Sequence, residues 1–145
     1  MIIWTGDNIA HDIWHQSIET QTVNTYDITQ EIMKYFPNTP VYPMFGNHEA
    51  YPADQFDTIG NESAWLLEQL SDMWKPWLDE KALSTFREKS YYSTVNEKFN
   101  VKIIALDTQV CDTANFYLIK DPTDPLQQVI FTFSFLCLIL KSWLG

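Results

Sequence analysis

Positive charge is scarce in this 145-residue chain: nine lysine and arginine residues face 19 aspartate and glutamate residues, which gives a net charge of -10. A protein that binds a nucleic-acid backbone needs a basic surface to replace the counterions around the phosphates. The composition therefore argues against nucleic acid as a partner. It is compatible with a secreted or lysosomal protein, because carboxylates lose their mutual repulsion as the pH falls.

Cysteine is also scarce, with only Cys111 and Cys137 in the chain. Two cysteines are too few to predict a disulfide framework. The first residues carry no basic segment and no small-residue cleavage site, so we expect no signal peptide in this chain. The triplet Asn61-Glu62-Ser63 still fits the acceptor sequence for N-glycosylation, and it supports secretion only alongside other evidence.

A long apolar run occurs only near the C-terminal end, over residues 129–140. It is shorter than the roughly 20 residues that cross a bilayer, so we do not expect a transmembrane helix. It also lacks a polar face, which makes it a poor surface helix. We therefore divide the chain into a domain over 1–128 and an apolar tail over 129–145, and expect the run at 129–140 to promote self-association.

Two shorter apolar runs each end on glycine and a polar residue. The first run lies in residues 1–5, which we expect to be a buried strand, and it precedes Gly6-Asp7. The run at 41–45 precedes Gly46-Asn47-His48. In open α/β sheets the ligand crevice lies outside the carboxyl ends of the strands, so these polar residues are candidates for chemistry. The alternative for the second run is a plain polar turn, in which asparagine is a cap and histidine is merely exposed.

A predicted helix over 17–36 separates the two strands and ends before Pro37. Its residues Tyr26, Met33 and Phe36 are available for one face. A strand, a helix and a second strand favour a parallel sheet, which places both polar loops at the same edge. The fold class predicted for the chain is therefore α/β.

The rest of the chain supplies a predicted loop near the site over 50–60, an amphipathic helix over 62–75, and a hairpin with strands at 90–95 and 101–106. The tryptophans of the helix could face lipid, but we interpret them as core side chains, because such stripes normally bury themselves. Asp107 also follows a strand, and we interpret it as structural.

Gly6-Asp7 and Gly46-Asn47-His48-Glu49, one helix apart, resemble two blocks of the calcineurin-like metallophosphoesterases. Residues 7–16, with their Ala-His-Asp and Trp-His-Gln, are similar to the acid sphingomyelinase version of the first block. The runs at 74–78 and 106–111 strengthen the resemblance, which covers residues 1–128. It implies a partial metallophosphoesterase core, which is one part of a four-layer α/β/β/α sandwich.

The resemblance also implies roles for individual residues. The family binds two Zn²⁺ ions, and Asp7 would bridge them while Asn47 would bind one of them. His48 would contact the phosphate, and His11 would protonate the leaving alkoxide. We interpret His15 as structural support.

This sequence also departs from the family. The apolar tail over 129–145 diverges from the continuation that relatives have, and we expect that it is not native family sequence. Relatives have an Asp-x-His block before the first strand, and a histidine and a His-x-His block after the hairpin, whereas this chain has only three histidines. We therefore expect an incomplete metal site and an inactive fragment. The family also implies a disulfide at Cys111, with a partner beyond the end of this sequence.

The function implied by the resemblance is zinc-dependent hydrolysis of sphingomyelin to ceramide and phosphocholine at a membrane surface, in a secreted or lysosomal protein. One alternative is a sphingomyelinase-like enzyme that acts on nucleotides. Another is a truncated, non-catalytic interaction protein that binds lipid surfaces or a full-length partner.

Overall fold

The computed structural model describes residues 1–58, 60–120, 123–124 and 126–134. Its strands are β1 (Ile2–Trp4), β2 (Val41–Pro43), β3 (Tyr92–Asn96) and β4 (Val101–Ala105), and its α-helices are α1 (Ile18–Tyr35), α2 (Ala64–Trp74) and α3 (Glu80–Lys89). Short 3-10 helices cover Ile13–His15, Asn47–Glu49, Thr108–Cys111 and Phe116–Ile119. The α/β class is confirmed.

The parallel βαβ unit is confirmed, because β1 pairs with β2 in parallel and α1 connects them. α1 begins one residue later than predicted because Ser17 is its N-cap: the Ser17 hydroxyl accepts a hydrogen bond from the Thr20 N–H at 3.2 Å. The face that α1 buries is polar, with Gln21, Thr25 and Thr29.

The apolar residues that we expected on one face of α1 do not form its buried face. Tyr26 and Phe36 are exposed, and Met33 is half-buried.

α2 and α3 pack together around the main core, which also includes side chains from β2, β3 and the loop after β2. Leu66, Leu70 and Trp74 of α2 are buried, so the interpretation of this stripe as core is confirmed. α3 was not predicted. Its N-cap is Asp79, whose carboxylate accepts a hydrogen bond from the Ala82 N–H at 2.8 Å, and its C-cap is Ser90, which has a left-handed φ of 59°.

The predicted hairpin is confirmed, with β3 and β4 antiparallel from Tyr92 opposite Ala105 to Asn96 opposite Val101. The Tyr92 hydroxyl donates a 2.8 Å hydrogen bond to the backbone oxygen of Pro43, which ties the hairpin to β2.

β1 is less buried than predicted. Ile3 is 64% exposed, because it lines an open cleft of about 390 Å³ between the β1–β2 pair and β4. Within the described ranges β1 pairs with β2 alone, so its other edge stays open.

Only the first part of the apolar tail is described, and residues 128–134 are helical. The Gln128 side chain bonds to both backbone groups of Asp107, at 2.7 and 2.9 Å, and the Phe131 ring lies 4.5 Å from that of Tyr91. Residues 135–145, including Cys137, lie outside the described residues. None of the helices in the described ranges has the length and apolarity to cross a membrane.

Candidate active site

The two glycine-ended loops meet at one edge of the parallel β1–β2 pair. Asp7 follows β1, and the 3-10 helix Asn47–Glu49 follows β2. The N–H of His48 donates a hydrogen bond to Oδ1 of Asp7 at 3.3 Å. His48 is only 8% exposed, so the alternative of a plain polar turn with an exposed histidine is wrong.

The backbones of the two loops touch, and two glycines make this possible. Gly6 has a φ of 79°, and a Cβ there would lie 2.1 Å from the backbone nitrogen of Gly46. A Cβ on Gly46 would lie 2.1 Å from Oδ1 of Asp7. Asp7 itself has a φ of 58°, a conformation that aspartate tolerates better than most residues. Neither glycine can carry a side chain without moving the loops apart.

His11 and His48 form the second close contact of the site. Their ring centroids lie 4.7 Å apart, with 55° between the ring planes. His11 is exposed, whereas Nδ1 of His48 is buried and has no hydrogen-bond partner in the described part of the chain. One imidazole is thus open to solvent beside another that is held inside the loop.

Asn47 is oriented by the predicted loop over 50–60. Its Nδ2 donates a 2.7 Å hydrogen bond to the carboxylate of Asp54, whose N–H donates in turn to the Asn47 backbone oxygen at 3.0 Å. Since the amide nitrogen is occupied, Oδ1 is the atom that remains for a ligand. The prediction that this loop lies near the site is confirmed.

His15 lies on the surface. Its Nδ1 is 3.4 Å from a carboxylate oxygen of Asp12, and its ring lies edge-on to that of Trp14. Its predicted supporting role stays a prediction.

Glu49 is the residue of this site that the sequence analysis missed. It is 1% exposed, and its carboxylate accepts hydrogen bonds from the N–H groups of Gly46 at 2.6 Å, Asn8 at 2.7 Å and Asp7 at 2.9 Å. The sequence signal was an acidic residue close to the end of a buried stretch. A buried carboxylate needs hydrogen-bond donors, so such a residue is expected to organise the backbone around it.

Asp7 and Asn47 are the two candidate metal ligands, and by themselves they do not complete a zinc site. Structural and catalytic zinc sites use three or four protein ligands. Within the described ranges no group of three or more His, Cys, Asp or Glu side chains is placed to hold a metal ion. The assignment of Asp7 and Asn47 as zinc ligands therefore stays a prediction, and it requires a longer protein that supplies further donors.

Asp107 does not lie in this site. It is 1% exposed, it accepts hydrogen bonds from the Ser90 hydroxyl at 2.5 Å and the Gln109 N–H at 2.8 Å, and burial raises its pKa to about 7. These contacts fit the structural role that we predicted.

The other predicted positions lie at the surface. Asn61 is exposed, while the hydroxyl of Ser63 in the same triplet is buried and accepts a 2.8 Å hydrogen bond from the Asp57 N–H. Cys111 is an exposed thiol at the end of a 3-10 helix and has no disulfide partner among the described residues. Glycosylation and the disulfide stay predictions.

Comparison with known proteins identifies relatives of this chain. The chain is 46% identical over 116 residues to sphingomyelin phosphodiesterase A of Dictyostelium discoideum, a match that covers 80% of the chain and 19% of the relative. It is 37% identical over 133 residues to sphingomyelin phosphodiesterase of Homo sapiens, covering 89% of the chain and 21% of the relative. The chain is similar to sphingomyelin phosphodiesterases. The resemblance seen in the sequence is thereby confirmed.

A human cyclic GMP-AMP phosphodiesterase is also similar, with 35% identity over 130 residues that cover 88% of the chain and 28% of that protein. No protein-family model matches the chain. The chain spans about a fifth of the length of the sphingomyelin phosphodiesterases it matches.

Proposed function

We propose that this chain is the segment of a longer phosphodiesterase that carries part of its metal site and its proton donor, and that the substrate is sphingomyelin. The observation that carries the proposal is the meeting of two strand-end loops, in which the His48 N–H bonds to Asp7 and the His11 ring lies against that of His48. The names of the similar proteins support the choice of substrate.

His11 is the proposed general acid. An alcohol leaves a phosphodiester as a strongly basic alkoxide unless a proton is supplied, and an imidazole titrates in the range where it can supply one. The exposure of His11 supports this role, because the leaving group has to reach its ring. His48 is the proposed phosphate contact.

The proposed cofactor of the full-length protein is a pair of Zn²⁺ ions, to which this chain contributes Asp7 and Asn47. Bound ions of this kind stabilise the charge on a phosphoryl group and lower the pKa of a bound water. Because two donors cannot hold two ions, we expect the 145-residue chain alone to bind less than one zinc per chain and to be inactive.

The proposed location is outside the cell or in the lysosome, with the substrate presented at a membrane surface. The exposure of Asn61 supports glycosylation at that position. Val129, Ile130 and Phe133 are exposed apolar side chains on the described part of the tail, which supports self-association of the isolated chain through 129–140.

A second candidate is hydrolysis of a nucleotide phosphodiester, because one relative is named for cyclic GMP-AMP. The chemistry of His11 and His48 would be the same in both cases. The two candidates therefore differ in substrate recognition alone.

The test is to assay purified full-length protein on sphingomyelin in mixed micelles and on cyclic GMP-AMP, and to measure zinc by elemental analysis. We expect sphingomyelin turnover, two zinc ions per full-length protein and less than one per isolated chain. Turnover of the cyclic dinucleotide alone would favour the second candidate. Two zinc ions in the isolated, monomeric chain would contradict the proposed division of ligands.

A further inference from the structure

The carboxylate of Glu49 is the acceptor on which both strand-end loops converge, and none of the roles proposed above uses it. Two of its three N–H donors belong to the loop after β1 and one to the loop after β2. Its nearly complete burial excludes a direct role for this carboxylate in binding a solvent-borne substrate. Its contacts are instead with the backbone that carries the site residues.

The backbone around Glu49 is shaped to hold an anion. Positive φ angles at Gly6 and Asp7 turn the chain so that the successive N–H groups of Asp7 and Asn8 point at one carboxylate. Concave runs of N–H groups of this kind bind anions in many proteins. Here the anion is a side chain of the protein itself, and the N–H of Gly46 reaches it from the other loop.

These contacts connect Asp7 with His48. Glu49 holds the backbone N–H of Asp7 at 2.9 Å, and the Asp7 carboxylate in turn accepts from the N–H of His48, the residue beside Glu49. A shift of either loop would break at least two of these bonds. The spacing of Asp7 and His48 therefore depends on a residue that belongs to neither the proposed ligands nor the proposed acid.

We propose that Glu49 is a positioning residue. It fixes the Asp7 carboxylate and the His48 imidazole relative to each other by accepting hydrogen bonds from the backbone of both loops. The catalytic consequence rests on the proposed function, while the structural claim does not. Small displacements of reacting groups are costly, and a misplacement of about 1 Å reduces a rate by about 10²-fold.

The structural claim is tested by NMR-detected hydrogen exchange on the 145-residue chain, with Glu49→Ala and Glu49→Gln. In Glu49→Ala we expect the amides of Asp7, Asn8 and Gly46 to lose at least about tenfold in protection. The amide of Met44, which donates to Trp4 within the β1–β2 pair at 2.7 Å, should keep its protection.

Glu49→Gln makes a finer prediction, because one amide oxygen replaces two carboxylate oxygens. Oε2 of Glu49 accepts from both Asp7 and Gly46, whereas Oε1 accepts from Asn8 alone. The glutamine oxygen should take the position with two donors, so that Asn8 loses protection while Asp7 and Gly46 keep most of theirs.

Asp57→Asn is the matched control. Asp57 is also a buried carboxylate, and it accepts from the N–H groups of Gly60 at 2.9 Å and Glu62 at 3.2 Å. Its substitution makes the same carboxylate-to-amide change as Glu49→Gln but should leave exchange at Asp7, Asn8 and Gly46 as it was.

The catalytic consequence is tested in the full-length protein with a soluble nitrophenyl phosphodiester. Glu49→Ala should lower kcat by about 10²-fold with little change in KM. Added formate should restore part of the kcat, because it supplies a carboxylate to the vacated N–H groups. Asp57→Asn should keep the kcat of the unmodified protein.

Three outcomes overturn the proposal. The first is a loss of protection in both Glu49 variants that is as large at Met44 as at Asp7, which would assign Glu49 to overall stability. The second is unchanged exchange at all three amides. The third is an unchanged kcat for Glu49→Ala in a full-length protein whose unmodified form is active. An unmodified full-length protein without phosphodiesterase activity would instead contradict the proposed function, and the exchange result would still stand.

Discussion

Asp7 and Asp107 both follow an apolar strand, yet they lie in opposite environments. Asp7 is exposed, and the bond from the His48 N–H is the side-chain contact that links it to the neighbouring loop. Asp107 is buried beneath Gln128 and is held by the Ser90 hydroxyl and the Gln109 N–H. A carboxylate with open lone pairs can bind a ligand, and one with occupied lone pairs cannot do so without breaking structure.

The difference comes from what each strand end meets. β1 is parallel to β2, so its last residues face another strand end with a polar loop. β4 is antiparallel to β3, so Asp107, which follows β4, meets the end of α3, where Ser90 lies. The same local sequence pattern therefore gives a candidate ligand in one case and a buried structural acid in the other.

The largest effect that we expect is on activity, from Asp7→Asn in the full-length protein. Removing the charge from the proposed metal site should lower kcat/KM by about 10³-fold or more. Asparagine tolerates the positive φ at this position, and the side chain is exposed, so stability should change by less than about 0.5 kcal/mol. Kinetic assays and urea unfolding measure the two effects, and retained activity would remove Asp7 from the site.

The corresponding change at the other strand end should affect stability. Asp107→Ala removes the acceptor for the Ser90 hydroxyl and the Gln109 N–H, and should lower the free energy of unfolding by about 2–3 kcal/mol. Urea unfolding at about pH 5.5, where Asp107 is mostly protonated, gives the value. A loss as small as that expected for Asp7→Asn would mean that Asp107 contributes no more to stability than Asp7 does.

An effect of comparable size should appear in the pH dependence of stability. Burial raises the pKa of Asp107 to about 7, while an aspartate in an unfolded chain titrates near 3.9. Between these values the folded state binds a proton that the unfolded state does not. The resulting stabilisation is fully present below the unfolded pKa and is lost as the pH rises through about 7.

Asp107→Asn is the reference for this effect, because asparagine does not titrate. The free energy of unfolding of the unmodified chain, minus that of Asp107→Asn, should increase as the pH is lowered from about 8 to about 5. A difference that stays constant, or that grows with pH, would contradict the burial of this carboxylate.

The sequence was sufficient for features that rest on local patterns. The two strand ends, the bounds of α1 near Ser17 and Pro37, and the hairpin follow from apolar runs, a cap residue and turn residues. The meeting of Asp7 with His48 followed from the βαβ rule, since parallel neighbours end at the same edge.

Other features depend on contacts between distant residues, and the sequence did not predict them. α1 buries threonines because of what packs against it, and the exposure of Ile3 follows from the open cleft beside β1. α3 is the exception, because its signals are local: a cap at Asp79 and apolar residues at 82, 83 and 86 are sufficient to predict a helix. The role of Glu49 needed the folded structure, because two of its three donors lie 41 and 42 residues away.

The central claim is that two strand-end loops form one hydrolytic site in which His11 supplies the proton. The most direct test is His11→Ala in the full-length protein, assayed on sphingomyelin and on a nitrophenyl phosphodiester. A nitrophenolate leaves without a proton, whereas the alkoxide of ceramide needs one. We predict a loss of about 10²-fold or more on sphingomyelin and a much smaller loss on the nitrophenyl substrate. Equal losses on both substrates would contradict the account.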